Sequence, residues 1–154
     1  MRAVRLADRY LVGTRIRLRR ATETTADGGQ AARVVYKFTQ KLPGPGGKPR
    51  LITTMYLDAA EYAVLATLPA TSLHTKRLSI PPLGVDVFDG ALTGLVLAEV
   101  EFIDDEAMVA FVAPREAVAE VTDDQRLTGG RLAGMPGSDL ADVLAEYGVG
   151  DYAR

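Results

Sequence analysis

Ionisable and apolar residues alternate along several short stretches of the chain, which is the period of a β-strand rather than of a helix. Residues 15–20, RIRLRR, alternate arginine with isoleucine and leucine, and residues 36–41, YKFTQK, alternate tyrosine, phenylalanine and glutamine with lysine and threonine. Residues 97–102, LAEVEF, repeat the pattern with glutamate. We therefore predict strands that each have one charged face and one more apolar face.

Glycine and proline divide this pattern into short elements. The polar segment 22–32 and the segment PGPGGKP at 43–49 are typical of connections between strands. Asp58 followed by Glu61 has the spacing of a helix capping box, and Ser138 is placed to cap a final helix. The predicted strands are two around Gly13 within 6–21, then 33–42, 50–57, 73–80, 84–90 and 92–103. The predicted helices begin at Asp58 and Ser138, with irregular or helical structure over 107–133.

The composition is that of one globular domain. The 154 residues are 47% hydrophobic, which is enough to build a core. The absence of cysteine excludes a disulfide framework and a thiolate site, and fits a reducing compartment. Since neither a membrane span nor a secretory signal is present in the sequence, we expect a cytoplasmic protein that does not contact membranes.

Charge is divided sharply along the chain although the net charge is only −2. Residues 1–50 contain 12 Lys and Arg and three Asp and Glu, whereas residues 51–154 contain six Lys and Arg and 17 Asp and Glu. This division fits either a basic element that binds nucleic acid or one site that needs cations for an anionic ligand and carboxylates for a metal.

A solvated face of an open antiparallel sheet is the simplest interpretation of one charged strand. Such a face usually mixes charges and hydroxyls, however, whereas here one strand carries only arginine, another lysine and another glutamate. If the sheet closes on itself, these faces line an interior where the cations are balanced by carboxylates or by an anionic ligand. The pattern then predicts a charged tunnel whose occupant is a small polyanion with a divalent metal.

In this order, the charged stretches resemble the CYTH family, also called triphosphate tunnel metalloenzymes. The similarity rests on RIRLRR, YKFTQK, the pair Lys76-Arg77, VDVFDG, GLVLAEVEF and EVTDDQRLTGGRLA, between about residue 5 and residue 134. The family includes class IV adenylyl cyclases and thiamine, inorganic and RNA triphosphatases on an antiparallel barrel. The resemblance implies an α+β fold with an antiparallel β-barrel or tunnel at 1–134 and short helices outside it. The C-terminal helix, at 135–154, lies beyond the similarity, and the helical spacing of its apolar residues Leu140, Val143, Leu144 and Tyr147 predicts that it packs on the domain.

The resemblance also implies roles for single residues. Arginine and lysine hold phosphate by bidentate hydrogen bonds and by a compact charge, respectively, and Mg or Mn takes oxygen ligands. The implied phosphate-binding residues are Arg15, Arg17, Arg19, Lys37, Lys41 and Arg77; the implied metal ligands are Glu99, Glu101 and Asp86, of which Glu99 and Glu101 are also the catalytic residues.

Two departures from the family concern its acidic residues. The family begins with an E-x-E-x-K strand, and nothing before Arg5 resembles it, so the chain is either truncated or degenerate there. Residues 51–57, LITTMYL, contain threonine where relatives often contain glutamate. The basic half of the site is therefore better preserved than the acidic half, and the sequence supports polyphosphate binding more strongly than turnover.

We predict a protein that binds an inorganic or organic triphosphate, with metal-dependent hydrolysis that is weak or absent and with triphosphatase chemistry favoured over adenylyl cyclase chemistry. One alternative is a polyphosphate- or nucleotide-binding regulator without turnover. Another is an RNA-binding module that uses the basic strands, which the tunnel interpretation disfavours. Open barrel edges would also favour a homodimer.

Overall fold

The computed structural model of the protein describes residues 2–23, 33–42 and 51–149. Most of the predicted connection at 22–32 and all of the predicted loop at 43–49 lie outside these residues. No helix among the described residues combines the length and the apolar character that crossing a membrane requires.

Seven antiparallel strands form one sheet that curls into a half-barrel. This architecture confirms the predicted α+β barrel-like fold. Within the described residues, β4 and β7 are the two edges, and β1 lies in the middle because the chain crosses from β4 to β5, beside β1. The strands are β1 (Arg2–Leu11), β2 (Ile16–Glu23), β3 (Arg33–Leu42), β4 (Leu51–Leu57), β5 (Ala70–Ile80), β6 (Leu83–Phe88) and β7 (Val96–Val100), in the spatial order β4-β3-β2-β1-β5-β6-β7.

The register brings the charged positions of the separate strands onto one face. Arg19 pairs with Asp8 on one side and with Lys37 on the other, and Arg77 pairs with Asp86. Paired residues of antiparallel strands point the same way, so the alternation along each strand becomes a continuous charged surface across the sheet. We call this surface, which lines a cavity, the inner face.

The first helix, α1 (Ala59–Leu65), begins at the predicted capping box. The Asp58 carboxylate accepts a hydrogen bond from the Glu61 backbone amide at 2.8 Å, and the Glu61 carboxylate accepts one from the Asp58 amide at 2.8 Å. This helix lies against the outer face, where the rings of Tyr62 and Tyr36 are 4.5 Å apart. It therefore covers apolar strand residues on the face opposite to the charges.

The C-terminal part of the chain covers one end of the inner face. Its helices are α2 (Asp105–Ala110), α3 (Gly129–Leu132) and α4 (Gly137–Glu146), and a 3₁₀ turn spans Gln125–Leu127. Burial of apolar area stabilises their packing. The buried cluster combines strand and helix residues: Leu73, Phe88, Leu92, Leu95, Leu127, Leu132, Leu140, Val143 and Leu144.

Among the predicted boundaries that differ from the structure, three concern predicted site or capping residues. Strand β2 starts at Ile16, because a turn around Gly13, which has a φ of 74°, continues through Arg15. Strand β7 ends at Val100, so Glu101 lies beyond it. Helix α4 starts at Gly137 after Pro136 as its N-cap, and Ser138 is inside the helix rather than its cap.

Candidate functional site

A cavity of about 340 Å³ lies on the inner face, and its wall comes from five strands. Four cations of the described residues line it: Arg19 of β2, Arg33 and Lys37 of β3, and Arg77 of β5, with Arg33 exposed at the start of its strand. Apolar side chains of β1 form its floor. The lining residues are Val4, Leu6, Arg19, Ala21, Glu23, Arg33, Val35, Lys37, Tyr56 and Arg77.

Arg19 is held in the wall by Asp8. Its Nε and Nη2 atoms donate hydrogen bonds to the two oxygens of the Asp8 carboxylate at 2.5 and 2.6 Å. Burial acts to lower the pKa of Arg19, but the hydrogen bond and negative charge of Asp8 outweigh it, and the pKa is raised. Arg19 is therefore a fixed cation whose position is set by a neighbouring strand.

Arg77, on the same face but on the other side of β1, is held in the same way. Its Nε and Nη2 atoms donate to the two Asp86 oxygens at 2.7 and 2.5 Å, and Nη2 also donates to Glu99 at 2.7 Å. The hydrogen bonds to Asp86 are the main cause of the raised pKa of Arg77. The structure thus brings a predicted phosphate-binding residue and two predicted metal ligands into one cluster.

Lys37 differs from both arginines. Among the described residues, no carboxylate lies within ion-pair distance of its ammonium group, which instead sits 5.3 Å from the ring centre of Tyr56. The next two alternate residues of β3 do not line the cavity: Thr39 is buried with its hydroxyl 3.2 Å from that of Thr54, and Lys41 is exposed near the strand end. Lys37 is therefore the lysine of the YKFTQK stretch that reaches the cavity.

The other two predicted cations in β2 or just before it do not line the cavity. Arg15 is exposed in the turn before the strand. Arg17 is on the inner face, with its Nη1 atom 3.8 Å from the Asp8 carboxylate, at the end that the C-terminal helices cover. Its neighbour Tyr10 has a raised pKa because of burial and of the Asp8 charge. Arg17 therefore adds positive charge next to the cavity without lining it.

The three predicted metal ligands do not form a ready-made metal site. Both oxygens of Asp86 accept hydrogen bonds from Arg77, Glu99 is bound to the same arginine, and Glu101 is exposed beyond β7. In the part of the chain that the structure describes, no three acidic or histidine side chains are grouped so that they could hold a metal ion. The assignment of Asp86, Glu99 and Glu101 to a metal stays a prediction.

Asp8 and Tyr56 were not predicted from the sequence as site residues, and neither was the cavity cation Arg33. Asp8 was missed because its role appears only when β1 pairs with β2, although its position between Leu6 and Tyr10 follows the alternate spacing. Tyr56 received no predicted role in the site, but its side chain is on the inner face of an edge strand beside Lys37. The signal that could have found both was their period-two position within a strand.

The arrangement is suited to an anion with several negative charges. Three guanidinium groups and one ammonium group line a common cavity, and Arg19 and Arg77 are held in place by aspartates. Charge-assisted hydrogen bonds from such groups to phosphate oxygens are among the stronger polar interactions in proteins. The cavity can therefore bind a compact polyanion, and the described residues offer no side chain arranged as a covalent nucleophile.

Comparison with known proteins supports a specific relationship. No protein-family model matches the chain. An inorganic triphosphatase from Nitrosomonas europaea is 45% identical over 103 residues, which are 63% of this chain and 68% of that protein.

Solved structures agree with this relationship. A crystal structure of NE1496 described as a hypothetical protein and another of NE1496 described as an inorganic triphosphatase each superpose with a TM-score of 0.54. They are 28% and 26% identical to this chain, and each comparison covers 87% of it and 87% or 85% of the solved chain. The sequence relationship and the shared fold together show that the chain belongs to the family of the Nitrosomonas europaea inorganic triphosphatase.

Proposed function

We propose that this protein binds an inorganic or organic triphosphate in the inner-face cavity and, with a divalent metal, hydrolyses it slowly. The observation that carries the proposal is the convergence of Arg19, Lys37 and Arg77, from three strands, on one cavity of about 340 Å³. Membership in the triphosphatase family supports the same ligand. We also infer membership in the broader CYTH family, whose charged motifs the sequence resembles.

Arg19, Lys37 and Arg77 can each contact phosphate oxygens of one triphosphate. The arginines, held by Asp8 and Asp86, present guanidinium groups of fixed orientation, which suits bidentate contact with phosphate oxygens. Lys37, the register partner of Arg19 on the adjacent strand, supplies a compact charge beside it. Because the ligand meets cations that are already positioned, less ordering is needed when it binds.

The described residues support metal binding less strongly than phosphate binding. Mg or Mn prefers oxygen ligands and usually keeps several waters, but the described carboxylates do not form a group that could hold it. Asp86 in particular is fully occupied by Arg77. The described residues therefore do not fit a preformed Mg or Mn site, and binding is supported further than turnover.

A thermal-shift experiment tests binding. Tripolyphosphate added at constant ionic strength should raise the melting temperature, because a ligand that binds only the folded state stabilises it by about 2.7 kcal/mol at about 100 times its Kd. A structured RNA at equal phosphate concentration is the comparison. No shift with tripolyphosphate and a large shift with RNA would favour the RNA-binding alternative.

Phosphate release measured with Mg or Mn tests turnover. We expect slow hydrolysis of tripolyphosphate, which Glu99→Gln and Glu101→Gln should each abolish if these residues are the catalytic carboxylates. Binding without any release would identify a non-catalytic regulator instead. Fast release that is unaffected by either substitution would contradict the proposed roles of Glu99 and Glu101.

The sheet edges support a further proposal, a homodimer. Among the described strands, β4 and β7 each pair on one side only, and Leu51, Met55 and Val96 are more than half exposed on them. Exposed apolar edge strands favour pairing with another chain. Sedimentation equilibrium of the wild type and Met55→Lys would show whether β4 takes part.

We expect the reaction to take place in the cytoplasm.

A further inference from the structure

Asp8 is a buried carboxylate in the middle strand of the sheet. Its side chain is on the inner face, where β1 also carries Leu6 and Tyr10, and only 4% of the residue is exposed. An ionised carboxylate at such a position costs free energy unless it is paired and hydrogen-bonded. Its partners therefore indicate why the structure contains it.

The partners of Asp8 are two cations of the neighbouring strand. Arg19 donates to both carboxylate oxygens, through Nε at 2.5 Å and Nη2 at 2.6 Å, and Arg17 approaches to 3.8 Å. The pair uses the Nε and Nη2 edge of the Arg19 guanidinium, so Nη1 is outside it. Because Arg19 also lines the cavity, this geometry leaves donor capacity for a ligand on that side.

The same geometry recurs at the second arginine of the cavity. Arg77 donates from Nε and Nη2 to the two oxygens of Asp86, which is 8% exposed. In both pairs the aspartate is the register partner of its arginine on an adjacent strand. Two independent strand pairs thus hold Arg19 and Arg77 by the same edge of the guanidinium group.

We propose that Asp8 is a positioning residue of the phosphate site, which fixes the guanidinium of Arg19 in the orientation that receives the ligand. This inference rests on the proposed function, since it assumes that a triphosphate binds in the cavity. A positioning role and a simple charge-balancing role of Asp8 predict opposite changes in ligand affinity when its charge is removed. Loss of a negative charge beside the site would by itself strengthen anion binding, whereas loss of the orientation of Arg19 weakens it.

The test is the tripolyphosphate affinity of Asp8→Asn, measured by titration calorimetry beside the wild type. The asparagine has nearly the same shape but accepts only one of the two hydrogen bonds from Arg19. We expect the Kd to rise about tenfold, the size of effect that accompanies the loss of one charge-assisted hydrogen bond. An unchanged or lower Kd would overturn the proposal.

A double-mutant cycle separates positioning from general structural support. Asp8→Asn should not raise the Kd further in an Arg19→Gln background, because the group that it positions is already absent; the loss of its negative charge alone should leave the Kd unchanged or lower it. An equal effect in both backgrounds would show that Asp8 acts on the fold and not through Arg19.

Arg19→Lys provides a second variant if Asp8→Asn does not fold. It keeps the positive charge and Asp8 but cannot form the two-pronged contact, so its Kd should also rise about tenfold. A Kd equal to that of the wild type would overturn the proposal. Failure of the wild type itself to bind tripolyphosphate would instead overturn the proposed function, and with it the role of Asp8.

Discussion

Single residues of the inner face serve both the fold and the proposed site. Arg19 and Arg77 line the cavity, and each is also the partner that allows an aspartate to be buried in the sheet. Removing such an arginine should therefore affect stability as well as ligand binding. Lys37 forms no ion pair with a described carboxylate, so removal of its charge should weaken ligand binding with little effect on stability.

Arg77→Met tests this double role. It leaves Asp86 buried without its main partner, and we expect a loss of about 1–3 kcal/mol in the free energy of unfolding. Arg77→Met combined with Asp86→Leu should recover most of that stability, because the unpaired charge is gone. Neither variant should bind tripolyphosphate normally. Denaturant unfolding checks the stabilities, with Arg5→Met on the outer face as the control; equal stability of the single variant and the wild type would contradict the expectation.

The charged face could be predicted from the sequence because it depends only on a period of two. Arg19, Lys37 and Arg77 lie where this alternation places them. The alternation does not encode where a strand ends, so Arg15 and Glu101 were assigned to strands that stop one residue short of them. It also does not encode which strands are neighbours, and the ion pair between Asp8 and Arg19 depends on that.

At the scale of elements, the C-terminal helices are joined to the strands by close packing at α3. The ring of Tyr10 lies over Gly129 and Gly130, and Tyr10 also neighbours Arg17 and Asp8. The helices are thus in contact with the inner face at the end next to the cavity. Their apolar spacing predicted packing for α4, but the close approach at Gly129 requires knowledge of the tertiary structure.

Gly129→Ala should loosen this contact. A Cβ atom at this position would lie 3.1 Å from Tyr10 Cζ and closer still to its hydroxyl, so the ring or the helix must shift. We expect a loss of about 1–3 kcal/mol, as for other overpacked sites. Gly130→Ala is the matched control, since its Cβ would be 3.4 Å from the ring, and it should be neutral or more stable by up to about 1 kcal/mol. Equal melting temperatures for the two variants would contradict this.

A second contact joins the 3₁₀ turn to the end of α4. Arg126 donates to Asp124 at 2.8 Å and to Glu146 at 2.7 Å, and the Tyr147 hydroxyl donates to Asp124 at 2.8 Å. Hydrogen bonds from Arg126 hold the pKa of Asp124 below its ordinary value of 3.8 and that of Glu146 below 4.5. Carboxyl groups with lowered pKa values stabilise the fold above those ordinary values, and this stabilisation is lost as the pH falls below them.

Arg126→Gln should therefore flatten the acid side of the stability profile. The melting temperature of the wild type should fall more steeply between about pH 5 and pH 3 than that of the variant, because the variant has lost the cause of both lowered pKa values. Arg115→Gln, which breaks an exposed pair with Glu116, should leave the profile unchanged. Parallel profiles for the wild type and Arg126→Gln would show that the contact does not stabilise the fold.

At the scale of the whole molecule, the basic and the acidic parts of the chain become neighbouring regions of one face of the sheet. Strands β2 and β3 supply Arg19 and Lys37, whereas β6 and β7 supply Asp86 and Glu99, and Arg77 of β5 lies between them. The charge counts fitted one site that needs both signs, or a basic nucleic-acid-binding element, and did not show which carboxylates would bind the arginines. The pairs form within β1–β2 and β5–β6, and the neighbouring positions of β1 and β5 bring both pairs to one cavity.

The central claim, that a triphosphate binds on the inner face, is tested most directly by comparing two lysines on opposite faces of the sheet. Lys37 lines the cavity, whereas Lys76 is exposed on the outer face. Tripolyphosphate titrated into Lys37→Gln should give a Kd raised by about tenfold or more, from the loss of one charged contact. Lys76→Gln, with the same change in net charge, should bind within about twofold of the wild type, since an exposed charge away from the site contributes little. Equal Kd values for the two variants would contradict binding in the inner-face cavity.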